Sequence, residues 1–309
     1  MGTTTSPDLV VVGGGPAGLA CAIRARSLNL NVAIVDMLGL GGQLLNLADL
    51  DDLPGHPGLV TGPDLAATLM EQAMDAGTTI HFGEVNEIKP DDDTWHVSGT
   101  GFDALTAGAA VVATGTRPLP LEVPGEAELM GRGVSDCAAC DGPLYAGRPV
   151  LVVGGGAIAI YEAVHLGSIA SQVTQLVPAE ATLPRHVRER MVAGKPPITT
   201  LENIEVSSIL GDDCVTGLRY IDANGTSSEI SASAIFVAHE RRPATEPVRA
   251  LVEIDSDGHI AVDNQLRARP AGLFAAGDVR SGSARSILAA LADGDLAATR
   301  ALHHLTANP

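Results

Sequence analysis

Aromatic residues are scarce in this 309-residue chain: one Trp, three Tyr and four Phe make up 3% of it. Any core must therefore be built from Val, Ile, Leu and Ala. Lysine is nearly missing, with Lys89 and Lys195 the only two, and 19 basic residues face 37 acidic ones for a net charge of −18. That balance excludes a nucleic-acid binder, which needs clustered Lys and Arg against phosphate. It equally excludes docking on an anionic membrane surface. No apolar run of membrane-spanning length is free of charges and turn residues. The stretch from Met1 to Asp8 is polar and does not read as a signal peptide. Four cysteines in a chain this long do not make a disulfide scaffold. A cytoplasmic protein is expected, without nucleic-acid or membrane partners.

Glycine and aliphatic residues are abundant: the chain holds 35 glycines and is 45% hydrophobic. The length suggests about two domains. The apolar run Leu9 to Val12 leads into Gly13-Gly14-Gly15-Pro16-Ala17-Gly18, a helical pattern to about Leu28, and a strand, Val32 to Val35, ending at Asp36. This is G-x-G-x-x-G between a strand and a helix, with an acid after the second strand. The first glycine permits the tight turn, the second lets backbone approach a pyrophosphate, and the third lets helix and strand pack closely. Asp36 stands where an acid would bind a ribose hydroxyl. The arrangement recurs later. Pro149 to Val153 is followed by Gly154-Gly155-Gly156-Ala157-Ile158-Ala159, a helix to about Gly167 and a strand over Val173 to Val177. Two dinucleotide-type folds follow. Asn224-Gly225 between two strand-like runs reads as a hairpin turn.

Cys137-Ala138-Ala139-Cys140 is the second chemical element. Its spacing lets two thiols close a small disulfide ring, one of them with a lowered pKa. Zinc is the competing reading. It needs four ligands, however, and Cys21 and Cys214 stand singly and far away in sequence, so no metal site is expected. Asp141 follows at once; it is either a proton donor and acceptor for thiol exchange or a surface acid. Cys21, on the first apolar helix, reads as packing.

These segments resemble a family. Gly13 to Gly18, Gly41-Gly42-Gln43, Leu53-Pro54-Gly55, Ala113-Thr114-Gly115, Cys137 to Gly142, Gly154-Gly155-Gly156 and Ala275-Ala276-Gly277-Asp278 occur in the order found in low-molecular-weight thioredoxin reductases. The resemblance covers nearly the whole chain. It implies an α/β protein of two Rossmann-like, doubly wound, three-layer domains, the second inserted in the first. Residues 1–117 and 248–309 would form the FAD domain, and residues 118–247 the pyridine-nucleotide-type domain carrying the C-x-x-C. It also implies a homodimer. By analogy Cys140 lies next to the flavin, Cys137 exchanges with the external thiol or disulfide, and Asp141 is the family's acid. The FAD contacts implied are Gly13, Gly15, Pro16, Ala17, Gly18, Asp36, Gly42, Gln43, Ala113, Thr114, Gly115, Gly277 and Asp278.

The departures fall in the second nucleotide fold. Where the family carries a His-Arg-Arg cluster for the 2′-phosphate of NADPH, this chain has Val177, Pro178 and Ala179. Glu240 replaces a glycine of the nicotinamide region, and Ala157 and Ile158 replace polar residues of the loop. Arg185, Arg188 and Arg190 follow as candidates for compensation, or as a solvated helical face. The expected activity is FAD-dependent exchange between a substrate dithiol or disulfide and FAD through Cys137 and Cys140, with NADPH in doubt. A dithiol oxidase passing electrons to oxygen is the preferred form, its partner a small-molecule dithiol or a thioredoxin-like protein. The alternatives are a thioredoxin reductase using NADH or NADPH, one using a ferredoxin-type donor, and a non-catalytic redox sensor.

Overall fold

A computed structural model describes residues 6–37, 39–47, 50, 53–54, 60–178, 198–238 and 240–307. In chain order the strands are β1 (Leu9–Val12), β2 (Val32–Asp36), β3 (Thr79–Phe82), β4 (Glu84–Asp91), β5 (Thr94–Thr100), β6 (Leu105–Ala107), β7 (Ala109–Val112), β8 (Thr116–Pro118), β9 (Val134–Ser135), β10 (Pro149–Val153), β11 (Gln172–Pro178), β12 (Thr199–Gly211), β13 (Val215–Ile221), β14 (Ser227–Ser231), β15 (Ala234–Val237), β16 (Arg241–Pro243) and β17 (Leu273–Ala275). The chain divides into two compact units. The first is Met1–Leu44, Leu50–Arg117 and Arg242–Pro309; the second is Leu45–Asp49 and Pro118–Arg241.

The first unit is built on a parallel sheet in the order β17-β7-β1-β2-β3. β1 and β7 are apolar at every position and wholly buried, as strands covered on both faces must be. Helix α1 (Pro16–Ser27) connects β1 to β2, with Pro16 in its first turn where a missing N–H costs nothing. Helix α2 (Gly62–Asp75) starts at a capping box, in which Thr61 and Asp64 satisfy each other's backbone amides. The C-terminal helix Ile287–Ala307 covers the sheet. An antiparallel sheet, β4-β5-β6, places Trp95 in the same core.

The second unit repeats the plan. Its seven-stranded sheet runs β14-β13-β12-β11-β10-β15-β9. The β9 to β12 part is parallel, and β12, β13 and β14 form an antiparallel extension. Helix α3 (Glu126–Leu129) precedes β9. Helix α4 (Ala138–Asp141) is the single turn holding both cysteines at or inside its ends, and α5 (Ala157–Gly167) packs beneath it. β8 and β16 form a separate two-stranded sheet. The sheet order and the two β–glycine loop–α–β units give the α/β class expected, with the second unit inserted in the first. No described helix is long and apolar enough to cross a membrane.

Candidate active site

The first glycine loop is shaped by close approach. At Gly13 (φ +103°) a Cβ would stand 2.4 Å from the Ala113 carbonyl oxygen, and at Gly18 one would stand 1.9 Å from that of Gly13. Neither position admits a side chain, and the loop therefore stays bare where α1 begins. Gly15 is the residue before the helix, so free backbone N–H groups at its start face outward, suited to an anion. Gly42 closes on this loop; a Cβ there would meet the Gly15 Cα at 2.9 Å. The Asp36 carboxylate accepts from Gly14 N at 2.7 Å and from Gly39 N at 2.8 Å. It thus braces the loop as well as ending β2.

The other expected FAD contacts gather at the same carboxyl ends of the strands, where ligands of open α/β sheets bind. Gln43 donates to the Thr116 hydroxyl at 3.0 Å, and Thr114 donates its hydroxyl to the Ala244 carbonyl at 2.7 Å. Gly115 lies near Gln43, and Gly277 packs on Ala17. Gly277 N donates to Asp293, which holds Arg280 in a two-pronged ion pair at 2.6 and 2.8 Å. The Ser283 hydroxyl donates to Asp278 at 3.1 Å. The bare loop, the helix start and the polar groups of the segments that follow β7 and β17 fit the pyrophosphate and ribityl parts of FAD. Of the segments that carried the resemblance, Gly55 lies outside the described residues.

The cysteines lie in the second unit. Cys137 and Cys140 form a disulfide with S–S 2.08 Å and Cα–Cα 5.3 Å. The turn is set from its N-terminal side. Ser135 Oγ accepts from Cys137 N at 3.1 Å, and Cys137 Sγ accepts from Cys140 N at 3.2 Å. Asp141 N closes the turn on the Cys137 carbonyl. Cys137 is 9% exposed, whereas Cys140 is open to solvent. Asn46 places its side-chain oxygen position 3.0 Å from Cys137 Sγ. A disulfide sulfur carries no proton, so the amide presents its NH₂ there while the pair is oxidised. Cys21 is buried, its thiol pushed up to about 12 by desolvation and Asp295, and is packing.

The second glycine loop keeps the form of the first. At Gly154 (φ +148°) a Cβ would lie 2.1 Å from the Ala238 carbonyl oxygen, and Gly156 precedes α5. A buried amide is added: Gln175, with no exposed surface, donates to the Gly154 carbonyl at 2.8 Å. β11 ends in buried Val177 and Pro178, and Glu240 is exposed. Ala179, Arg185, Arg188, Arg190 and His239 lie outside the described residues.

Sequence reasoning missed Asn46, Ser135, Glu162 and Gln175. Only Glu162 left a legible signal, an acid on a helix face otherwise made of Ala159, Ala163 and Leu166.

Comparison with known proteins agrees with this geometry. Residues 7–294 match the pyridine nucleotide-disulphide oxidoreductase family. The chain is 33% identical to the thioredoxin reductase of Treponema pallidum, over 97% of this chain and 98% of that protein. The crystal structure of Lactococcus lactis thioredoxin reductase superposes with a TM-score of 0.91 at 29% identity, covering 97% and 99% of the two chains. A ferredoxin-flavin thioredoxin reductase from Clostridium acetobutylicum is 27% identical, with a TM-score of 0.54 and 98% and 99% of the two chains covered. The chain therefore belongs to the pyridine nucleotide-disulphide oxidoreductase family, as an enzyme of its thioredoxin reductase-like branch, for which FAD is the implied cofactor.

Proposed function

We propose that the enzyme exchanges electrons between a substrate dithiol and FAD through Cys137 and Cys140 without NADPH, and that it works as a dithiol oxidase. The observation that carries this reading is the end of β11. Val177 and Pro178 have no side-chain donor for a phosphate, and a phosphate without a guanidinium partner forgoes charge-assisted hydrogen bonds of about 1.5–3 kcal/mol each. Glu240 adds a negative charge on the same nucleotide fold.

In this reading one substrate thiolate attacks Cys137, and Cys140 leaves as a thiolate to which Asp141 can pass a proton. The second substrate thiol then attacks the substrate sulfur of the mixed disulfide, releasing a substrate disulfide and the Cys137 thiolate. FAD, when bound, supplies the two-electron acceptor that returns the cysteines to the disulfide. Oxygen is the final acceptor, so the balance is dithiol plus O₂ to disulfide plus H₂O₂. Cys137, Cys140 and Asp141 are the reacting groups. Gly13, Gly15, Pro16, Ala17, Gly18, Asp36, Gly42, Gln43, Ala113, Thr114, Gly115, Gly277 and Asp278 hold FAD. The partner is a small dithiol or a thioredoxin-like protein, and the enzyme works as a cytoplasmic homodimer.

The second reading is a thioredoxin reductase driven by NADH or NADPH, supported by the loop form kept at Gly154 and Gly156. A ferredoxin-type donor stands behind both, because an acidic chain suits an acidic carrier poorly.

The test mixes the purified flavoprotein anaerobically with NADPH, and separately with a small dithiol, and follows the flavin absorbance. Bleaching by the dithiol alone, reversed by air with release of peroxide, is the expected result. Rapid bleaching by NADPH overturns NADPH independence and establishes the second reading.

A further inference from the structure

Helix α5 turns one acid inward beneath the redox turn. Its residues Ala159, Ala163 and Leu166 share a core with Ala138, the residue between Cys137 and Ala139. A Cβ at Gly142, just past the turn, would meet the Leu166 side chain at 3.0 Å. Glu162 sits among these positions and is 1% exposed. Neither of its carboxyl oxygens has a hydrogen-bond partner among the described residues. The Ala138 backbone N–H faces it without closing a full hydrogen bond, and partly offsets the burial. Asp136, from the link before the turn, opposes its ionisation, and Arg241 favours it. His165 stands one turn further along the same helix, and Asp141 at the far end of the redox turn. Burial is the largest influence, and the carboxyl is pushed up to about 7. All these residues lie in the second unit, and the thiol exchange described above makes no use of Glu162.

We propose that Glu162 is a positioning residue of the redox turn, one that binds a proton when the Cys137–Cys140 disulfide is reduced and releases it when the disulfide reforms. The inference rests on the reading of this pair as redox-active. A substrate dithiol is the reductant. Its two electrons break the S–S bond, one of its protons stays on a cysteine thiol, and the other goes to the Glu162 carboxylate while the second cysteine remains a thiolate. The oxidised pair is uncharged, so the Glu162 carboxylate is then opposed by desolvation and Asp136 alone, with the Ala138 amide and Arg241 in its favour. Reduction adds a thiolate on the turn that carries Ala138, and a second negative charge near a buried carboxylate is disfavoured, so the carboxylate takes the proton. Linkage makes this reciprocal: if reduction favours protonation of Glu162, then rising pH favours the disulfide.

The experiment equilibrates the flavoprotein with glutathione buffers from mildly acidic to mildly alkaline pH and counts reduced cysteines by alkylation, in the wild type and in Glu162→Gln. Gln is a neutral near-isostere of the acid. Where the carboxyl is ionised in the disulfide form and protonated in the dithiol form, the ratio of the wild-type to the E162Q reduction constant should fall as pH rises, by up to about tenfold per unit. Parallel curves overturn the proposal. The wild type also gives a direct reading that does not depend on the variant folding. The reduced-minus-oxidised infrared spectrum, with glutamate isotopically labelled, should gain a protonated-carboxyl band, and absence of that band equally overturns the proposal. A pair that glutathione never reduces at any pH refutes the redox reading itself, an outcome distinct from parallel curves.

Discussion

Two acids with almost no exposed surface, Asp293 and Glu162, meet burial in opposite ways. Asp293, 6% exposed, takes both prongs of Arg280 and the Gly277 amide. Glu162 closes no full hydrogen bond among the described residues, and burial pushes its carboxyl up to about 7 from 4.5. Between those two values the folded chain binds more protons than the unfolded one, so this acid makes stability fall as pH rises through that window and level off above it. E162Q removes that slope. It should match the wild type at the acidic end and exceed it by up to about 3 kcal/mol above neutrality, as read by urea unfolding at several pH values. At the disulfide, Cys137 is given the external exchange while Cys140 is the more exposed residue. Cys140→Ser, mixed with the disulfide form of a small dithiol or thioredoxin-like substrate, should therefore trap a mixed disulfide through Cys137, with one substrate thiol released, seen by mass spectrometry. Cys137→Ser should trap none; trapping in C137S alone reverses the two roles.

At the scale of the element, the first glycine loop leaves no room for a side chain. In Gly18→Ala the new methyl would be driven onto the Gly13 carbonyl, parting α1 from β1. A loss of about 1–3 kcal/mol is expected from such overpacking, with FAD lost on gel filtration. The Arg280–Asp293 pair joins the loop after β17 to the C-terminal helix. Asp293→Ala leaves the half-buried Arg280 without its carboxylate partner. It should cost about 3–5 kcal/mol and weaken FAD retention, measured by denaturation and by release of flavin fluorescence. Several elements were legible in advance because local chemistry determines them. β1 and β10 follow from unbroken apolar runs, α1 and α5 from the glycine loops before them, and the β13–β14 hairpin from Asn224-Gly225. In that turn Asp222 accepts from the amides of Asn224 and Thr226, which lowers its pKa. The C-terminal helix starts only at Ile287, and Ser283 and Arg285 before it are engaged in the loop around Asp278 and His259.

For the whole molecule the governing quantity is charge. A net charge of −18 and a pI near 4.7 mean self-repulsion at neutral pH, which added salt screens. The melting temperature should therefore rise with sodium chloride at neutral pH, and the rise should vanish as pH approaches the pI. A melting temperature indifferent to salt at neutral pH would show that the acids are already locally compensated. The two-unit construction, with one unit interrupting the other, also means that heat unfolding need not be a single transition. FAD added to the apoprotein should raise the transition of the first unit and leave that of the second where it is, a separation calorimetry can resolve.

The amino-acid sequence by itself determined the family, the two glycine loops and the cysteine pair, because each depends on residue types held at short fixed spacing: glycines where a Cβ cannot fit, and two thiols three residues apart. It also placed Val177 and Pro178, neither with a polar side chain, at the end of the second β-α-β unit. Only the tertiary structure decided what surrounds those motifs. Asn46 is 91 positions from Cys137, and Glu162 meets Ala138 only because α5 packs under the redox turn. Gln175 reaches the Gly154 carbonyl across neighbouring parallel strands. Spacing along the chain encodes a turn or a cap, but burial and the neighbours that set a buried group's protonation come from segments distant in sequence, and these exist only once the sheets have formed.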